Sequence, residues 1–150
     1  MDRILAVIIL AWLPVNARAV GVWELEKGSV PTEEQWVRAE QLIVAYAKEH
    51  DLKIDSDQER PKLIWSDASH AIVISGSRFA FAVAGYNEGE NLIVLFQNSE
   101  PGDWLHEVGH AYGLDLDGNE AVHKSCEHFV DYCRRKWKTD KGKPKEQKAR

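Results

Sequence analysis

The chain contains little cysteine and little methionine. Its 150 residues include two cysteines and a single methionine, Met1, and no C-x-x-C pair occurs. The absence of that pair excludes zinc-ribbon and thioredoxin-type motifs. Cys126 and Cys133 are seven residues apart, which is about 10 Å along a helix axis, whereas a disulfide needs Cα atoms within roughly 7 Å of each other. We therefore expect both cysteines to be small buried apolar residues.

Charge is distributed unevenly along the chain. The sequence is 44% hydrophobic and 29% charged, with a net charge of −5, as is typical of a globular domain. From Arg134 to the end there are nine Lys or Arg and two acids, a balance of +7, whereas the rest has ten bases and twenty-two acids, a balance of −12. Residues 138–150 are therefore predicted to be a disordered basic tail. Because the tail lacks aromatic residues apart from the neighbouring Trp137, no nucleic-acid partner is expected.

The chain has one long apolar run, Ile4–Val15. Arg3 precedes this run and a small-x-small pattern at Ala17–Ala19 follows it, an arrangement typical of a secretory signal peptide. The run is shorter than the about 20 residues that a membrane span needs. We predict a signal peptide at 1–19 and an exported chain, periplasmic or secreted, without a stable membrane span after cleavage. A membrane tether or a buried first helix is the alternative.

The remaining pattern predicts one α+β domain at 20–137, long enough for a hydrophobic core. Thr32 and Gln35 form a Thr-x-x-Gln capping box at the start of an amphipathic helix. Four β-rich runs follow (KLIW, AIVIS, RFAFAVAGY and NLIVLFQ), and the last two flank NEGE, a hairpin turn that contains Gly89. We expect a small sheet of three or four strands, then NSEPGD as the break before a helix that carries His106, and a last helix over about 120–137.

The segment HEVGH is the strongest chemical signal in the sequence. His106 and His110 are four residues apart, so on a helix both imidazoles can reach one metal ion. Zinc lowers the pKa of a coordinated water to about 7. Glu107 could orient that water, take its proton and pass it to a leaving amine. Two histidines that merely share a helix are the alternative. We expect a Zn²⁺ site with Glu107 as the catalytic residue.

This segment resembles the zincin metallopeptidases, and the order of elements around it does so too. In that family a helix precedes a small twisted sheet, whose edge strand aligns extended substrate just before the HExxH helix. By this resemblance NLIVLFQ, eight residues before His106, would be the edge strand. The metzincin pattern HExxHxxGxxH fails here, because Leu116 stands where the third ligand should be and no downstream methionine exists. Gly113 is instead expected to end the helix.

A catalytic zinc needs a third protein ligand and an open position. The gluzincin pattern takes a Glu from the following helix, with an Asp four residues later supporting a ligand histidine, and Glu127 and Asp131 match it. Helical geometry separately favours Glu127 or His123, which lie along one edge of the apolar stripe, and disfavours His128. Glu127 is the preferred third ligand. The alternatives are His123 and another acid such as Asp117.

The sequence thus predicts a minimal zincin-like domain that hydrolyses peptide bonds in a peptide or protein substrate. Tyr112 and Tyr132 are possible oxyanion donors, although packing is the expectation for both. Two other functions remain open. One is a zinc-binding domain on the same scaffold without activity, and the other is a binding protein that acts through its basic tail. The sequence gives no indication of oligomeric state.

Overall fold

The computed structural model describes residues 24–114 and 126–136. The predicted signal peptide, the basic tail, and the alternative ligands His123 and Asp117 lie outside these residues. The described parts form a small mixed domain of three helices and five short strands, so the α+β class is confirmed. The elements are α1 (Glu33–Glu49), β1 (Lys62–Trp65), β2 (Ala71–Ser75), β3 (Arg78–Ala82), β4 (Ala84–Asn87), β5 (Leu92–Leu95), α2 (Asp103–Ala111) and the helical residues 126–136, here called α3.

Helix α1 begins with the predicted capping box. The backbone N–H of Gln35 donates to Thr32 Oγ1 at 3.1 Å, and the backbone N–H of Thr32 donates to Gln35 Oε1 at 2.9 Å. These bonds satisfy two of the N–H groups that a helix start leaves without partners. The predicted apolar face is buried, with Leu42 and Tyr46 in addition to Trp36, Ala39, Ile43 and Ala47.

The larger sheet has three strands in the order β1-β5-β4. Strand β1 is parallel to β5 and β4 is antiparallel to it, so the hairpin predicted around NEGE is confirmed. The expectation that NLIVLFQ is the edge strand is wrong, because β5 is the central strand and β4 is an edge. The reason is the parallel pairing with β1, a contact between distant segments that periodicity alone does not reveal.

The structure has a second sheet, of two strands, where the sequence predicted only one sheet. RFAFAVAGY divides at Val83: β3 pairs with β2, whereas β4 pairs with β5. The carbonyl of Val83 accepts hydrogen bonds from the Phe96 N–H and the Ser99 hydroxyl, which takes this residue out of both strands. The segment 96–98 also holds the other end of the β2–β3 hairpin, because the Gln97 and Asn98 N–H groups donate to Ala68 and Ser69.

Helix α2 packs against β4, β5 and α1, and α3 covers it from the other side. The buried face of α3 includes both cysteines, as expected, together with Phe129 and Tyr132. A single core therefore joins α1, the three-stranded sheet, α2 and α3. Within the described residues, none of the helices combines the length and the apolar character needed to cross a membrane.

Candidate metal centre

The HEVGH segment lies on α2, with one face of the helix in the core and the other on a cavity. Trp104, Leu105 and Val108 are fully buried, whereas His106 and His110 are half-buried. The Nε2 atoms of the two histidines are 3.0 Å apart. One ligand atom from each histidine and a carboxylate oxygen of Glu107 all lie within 4.8 Å of one another. The predicted convergence of these three side chains is present in the structure.

The spacing of the two imidazoles fits a zinc ion. Two Zn–N bonds of about 2.0–2.1 Å at a tetrahedral angle separate their nitrogens by roughly 3.3 Å. The observed separation of 3.0 Å needs only a small rotation of either ring to reach that value. Imidazole nitrogens are donors that zinc prefers, and the carboxylate of Glu107 lies beside the two rings, where it could act on a water next to the metal. The residues present therefore fit this metal.

Glu107 is unusual in its burial. With 6% of its surface exposed, it is the only polar or charged residue among the buried side chains of the described parts. Removing a carboxylate from water costs several kcal/mol unless a positive charge or hydrogen bonds compensate. A buried carboxylate beside two converging imidazoles makes this group of residues a candidate functional site.

Gly109 lets α3 approach α2, the helix that carries the two histidines. A Cβ atom at this position would lie 3.1 Å from Cys126 Sγ and 3.3 Å from Leu114 Cδ1. Both distances are below ordinary van der Waals contact, so a larger residue would require Cys126 or Leu114 to shift by a few tenths of an ångström. Because Glu127 directly follows Cys126, the glycine helps to set how close Glu127 comes to the histidines.

The end of α2 is as expected. Gly113 has φ = +83°, a left-handed conformation that glycine adopts without strain. Its N–H donates to the His110 carbonyl and the Leu114 N–H donates to the Gly109 carbonyl, which together make a Schellman motif. The motif ends the helix at Ala111, with Tyr112 as the C-cap residue.

The two histidines line a cavity of about 1010 Å³ that lies between α2, α3 and β4. Glu127 and Asp131 line it from α3, although Glu127 is not part of the group of ligand atoms within 4.8 Å. Glu127 as third ligand therefore stays a prediction. His128 is exposed and is not among the described residues that line the cavity, in line with the geometric argument. The carboxylate of Asp131 contacts Arg134 at 3.4 Å.

Tyr112 and Tyr132 pack away from the cavity, as expected for both. Tyr112 is hydrogen-bonded to Glu40, and burial, followed by this neighbouring carboxylate, raises its pKa to about 12. The Tyr132 hydroxyl donates to Glu49 at 3.1 Å, and burial together with that bond raises its pKa to about 12. Both phenols connect the last two helices to α1.

Sequence reasoning missed several residues of the cavity wall. Asp103 lies on α2 one turn before the histidines, and its helical spacing could have revealed it. Its carboxylate accepts a hydrogen bond from the Glu100 N–H at 2.6 Å, and burial raises its pKa in spite of that bond. The others are Asp55, Phe81, Tyr86 and Glu88. No local pattern marks these four, because the pairing of distant strands and loops places them at the cavity.

Comparisons with known proteins do not assign the chain to a family. No protein-family model, no curated protein and no solved structure matches it. The case for a function therefore depends on the residues and their geometry.

Proposed function

We propose that this protein is a zinc-dependent peptidase of the zincin type. The observation that carries the proposal is the convergence of His106, His110 and the buried Glu107 at the wall of an open cavity. The histidines would hold the metal, and Glu107 would act on the water beside it. The predicted signal peptide adds the proposal that the enzyme is exported.

Bound zinc would polarise both a water molecule and the carbonyl of the scissile peptide bond. Glu107 would accept a proton from the water as its oxygen forms a bond to the carbonyl carbon. The same carboxyl group would then give this proton to the amide nitrogen as the C–N bond breaks, which leaves a carboxylic acid and an amine. The burial of Glu107 keeps bulk water from competing for the proton.

Glu127 is proposed as the third ligand. Its support is its place on the wall of the same cavity, on the helix that Gly109 allows to approach α2. Asp131, one helical turn further, also lines the cavity and could accept a hydrogen bond from a ligand imidazole, which would fix its tautomer. His123 and another acid such as Asp117 remain the alternative ligands.

The position of strand β4 supports the proposal that the substrate is a peptide. It forms an edge of the three-stranded sheet, and its residues Ala84, Gly85 and Tyr86 line the cavity. An edge strand presents backbone N–H and C=O groups that can pair with an extended peptide. In the zincin family that this chain resembles, the edge strand aligns extended substrate. We assign that role to β4 instead of β5.

The test is zinc content together with peptide cleavage, measured on the purified chain, three variants of the proposed site and one control variant. We expect one zinc per chain, a large loss of zinc in Glu127→Ala, and retained zinc without cleavage in Glu107→Gln. Zinc loss in His123→Ala but not in Glu127→Ala would reassign the third ligand. Glu90 is an exposed acid outside the cavity wall, so Glu90→Gln is the matched control.

Two results would overturn the proposal. A folded chain that binds no zinc would leave HEVGH a chance pattern. Zinc binding without cleavage of any peptide in a broad library would favour the inactive zinc-binding domain instead.

A further inference from the structure

The cavity wall carries a strong charge of one sign. Six carboxylates line it, and no Lys or Arg is among its described lining residues. Two of the six, Glu107 and Glu127, belong to the proposed metal site, where their negative charges would balance the two positive charges of zinc. The other four are Asp55, Glu88, Asp103 and Asp131. Among the residues that the structure describes, Arg134 lies beside Asp131 at 3.4 Å.

A cleft lined by charges of one sign concentrates ligands of the opposite sign. The low-dielectric walls focus the field, which can raise association rates by about 10-fold to 1,000-fold. Asp55 and Glu88 are exposed at the cavity. A bound peptide with basic side chains near these acids would therefore gain attraction, while an acidic peptide would be repelled.

The β2–β3 hairpin adds an apolar surface at the same cavity. Its strand register pairs Ile72 with Phe81 and Ile74 with Phe79, so these four side chains share one face. They are 61 to 75% exposed, which is unusual for large apolar residues in adjacent positions. Phe81 both belongs to this apolar face and lines the cavity. The apolar face therefore continues the surface that a substrate in the cavity would contact.

We propose that the site accepts cationic, amphipathic peptides, in which basic residues lie against the acidic wall and large apolar residues lie on the β2–β3 apolar face. This inference deepens the proposed function and rests on it. The occupant of the apolar face is thus the substrate itself. The charge of the adjoining wall and the position of Phe81 at the cavity favour it over a second copy of this chain.

The binding test uses the full chain of Glu107→Gln, loaded with zinc, so that binding is measured without turnover. Three fluorescent peptides of equal length are titrated: one alternating lysine and phenylalanine, one with glutamate in place of lysine, and one with serine in place of phenylalanine. We expect the lysine–phenylalanine peptide to bind about tenfold more tightly than either of the others. Its affinity should fall as salt is added, because salt screens the acidic wall.

Two substitutions in the binding variant assign the effect to the structure. Glu88→Lys should raise the Kd of the lysine–phenylalanine peptide about tenfold. The control is Glu90→Lys, a change of equal charge in the same turn but outside the cavity wall. Phe81→Ser should weaken binding as well, whereas Val73→Ser, on the opposite face of the same hairpin, should not.

The outcomes separate this inference from the proposed function. If the zinc-loaded wild-type chain cleaves the glutamate peptide as fast as the lysine peptide, the inference is overturned while the peptidase stands. If Glu107→Gln prefers the lysine–phenylalanine peptide but the wild type cleaves none, the peptidase fails and the binding preference stands. Equal affinity for all three peptides, or none for any, overturns the inference. So does a dimer in sedimentation velocity that Phe81→Ser dissociates, because a second copy would then occupy the apolar face.

Discussion

The two sheets of this protein use similar apolar strands in opposite ways. In the three-stranded sheet Ile93 and Leu95 are completely or almost completely buried beneath helices. In the β2–β3 hairpin Ile74 and Phe79 are 75% and 66% exposed. The sequences LIVL and AIVIS predict strands equally well, and the difference is that β5 packs against α2 and contributes Ile93 and Leu95 to the core. Apolar strands in the first sheet stabilise the fold, whereas those in the hairpin provide surface for contact.

The largest predicted effect tests that difference with one substitution made in both places. Ile93→Ala removes a fully buried side chain and should lower the free energy of unfolding by about 2–5 kcal/mol. Ile74→Ala, on the exposed hairpin, should change it by less than about 0.5 kcal/mol. Urea denaturation of the two variants measures both values. Equal losses would mean that the hairpin belongs to the core.

The close contact at Gly109 offers a sharper test of packing on the core side. Gly109→Ala places a methyl group against Cys126 and Leu114, and we expect a net loss of about 1 kcal/mol after the better helix propensity of alanine is counted. Gly85→Ala is the control, since a Cβ atom there meets nothing within 4 Å.

A double-mutant cycle identifies the partner in that contact. If Cys126 Sγ is the obstacle, Gly109→Ala combined with Cys126→Ala should cost less than the sum of the two single changes. Additive losses in urea denaturation would instead assign the contact to Leu114.

A smaller effect concerns alkaline pH and again separates the core from the hairpin. Burial raises the pKa of the Cys133 thiol to about 12, above its ordinary value of 9.0. Because the folded state holds the neutral thiol, its contribution to stability is complete below the unfolded pKa and is lost progressively as pH rises from about 9 towards 12. At about pH 9.5 the loss from this thiol should be on the order of 1 kcal/mol relative to neutral pH.

The measurement is urea denaturation at both pH values for the wild type, Cys133→Ala and Ile74→Ala. Cys133→Ala should show a smaller alkaline loss, and Ile74→Ala should show the full one. An unchanged alkaline loss in Cys133→Ala would show that other groups, such as the phenols of Tyr112 and Tyr132, account for it.

Local chemistry made part of this structure predictable. The capping box at Thr32 and the left-handed Gly113 each depend on neighbours within a few residues, and both are present as expected. The same holds for His106, Glu107 and His110, whose convergence follows from the geometry of one helix. Glu127, the predicted third ligand, lines the cavity. Its position could be predicted because the buried apolar stripe of α3 is visible in the sequence, and Glu127 lies at the edge of that stripe.

Features that depend on distant pairing could not be predicted in this way. Nothing near β5 signals that β1 pairs with it in parallel, so β4 could not be recognised as an edge strand. The division of RFAFAVAGY at Val83 depends on hydrogen bonds from Phe96 and Ser99, which are far along the chain. The acids of the cavity wall, such as Asp55 and Glu88, come from separate loops for the same reason.

The anchoring of the β2–β3 hairpin has an evolutionary consequence. Both ends of the hairpin are fixed to the short segment 96–98, through Ala68 and Ser69 at one end and Val83 at the other. The residues between these anchor points could be lengthened, shortened or exchanged while the chain still leaves and rejoins the domain at the same place. The anchoring thus makes the hairpin a part of the surface whose length and side chains can change while the helix that carries the histidines stays as it is.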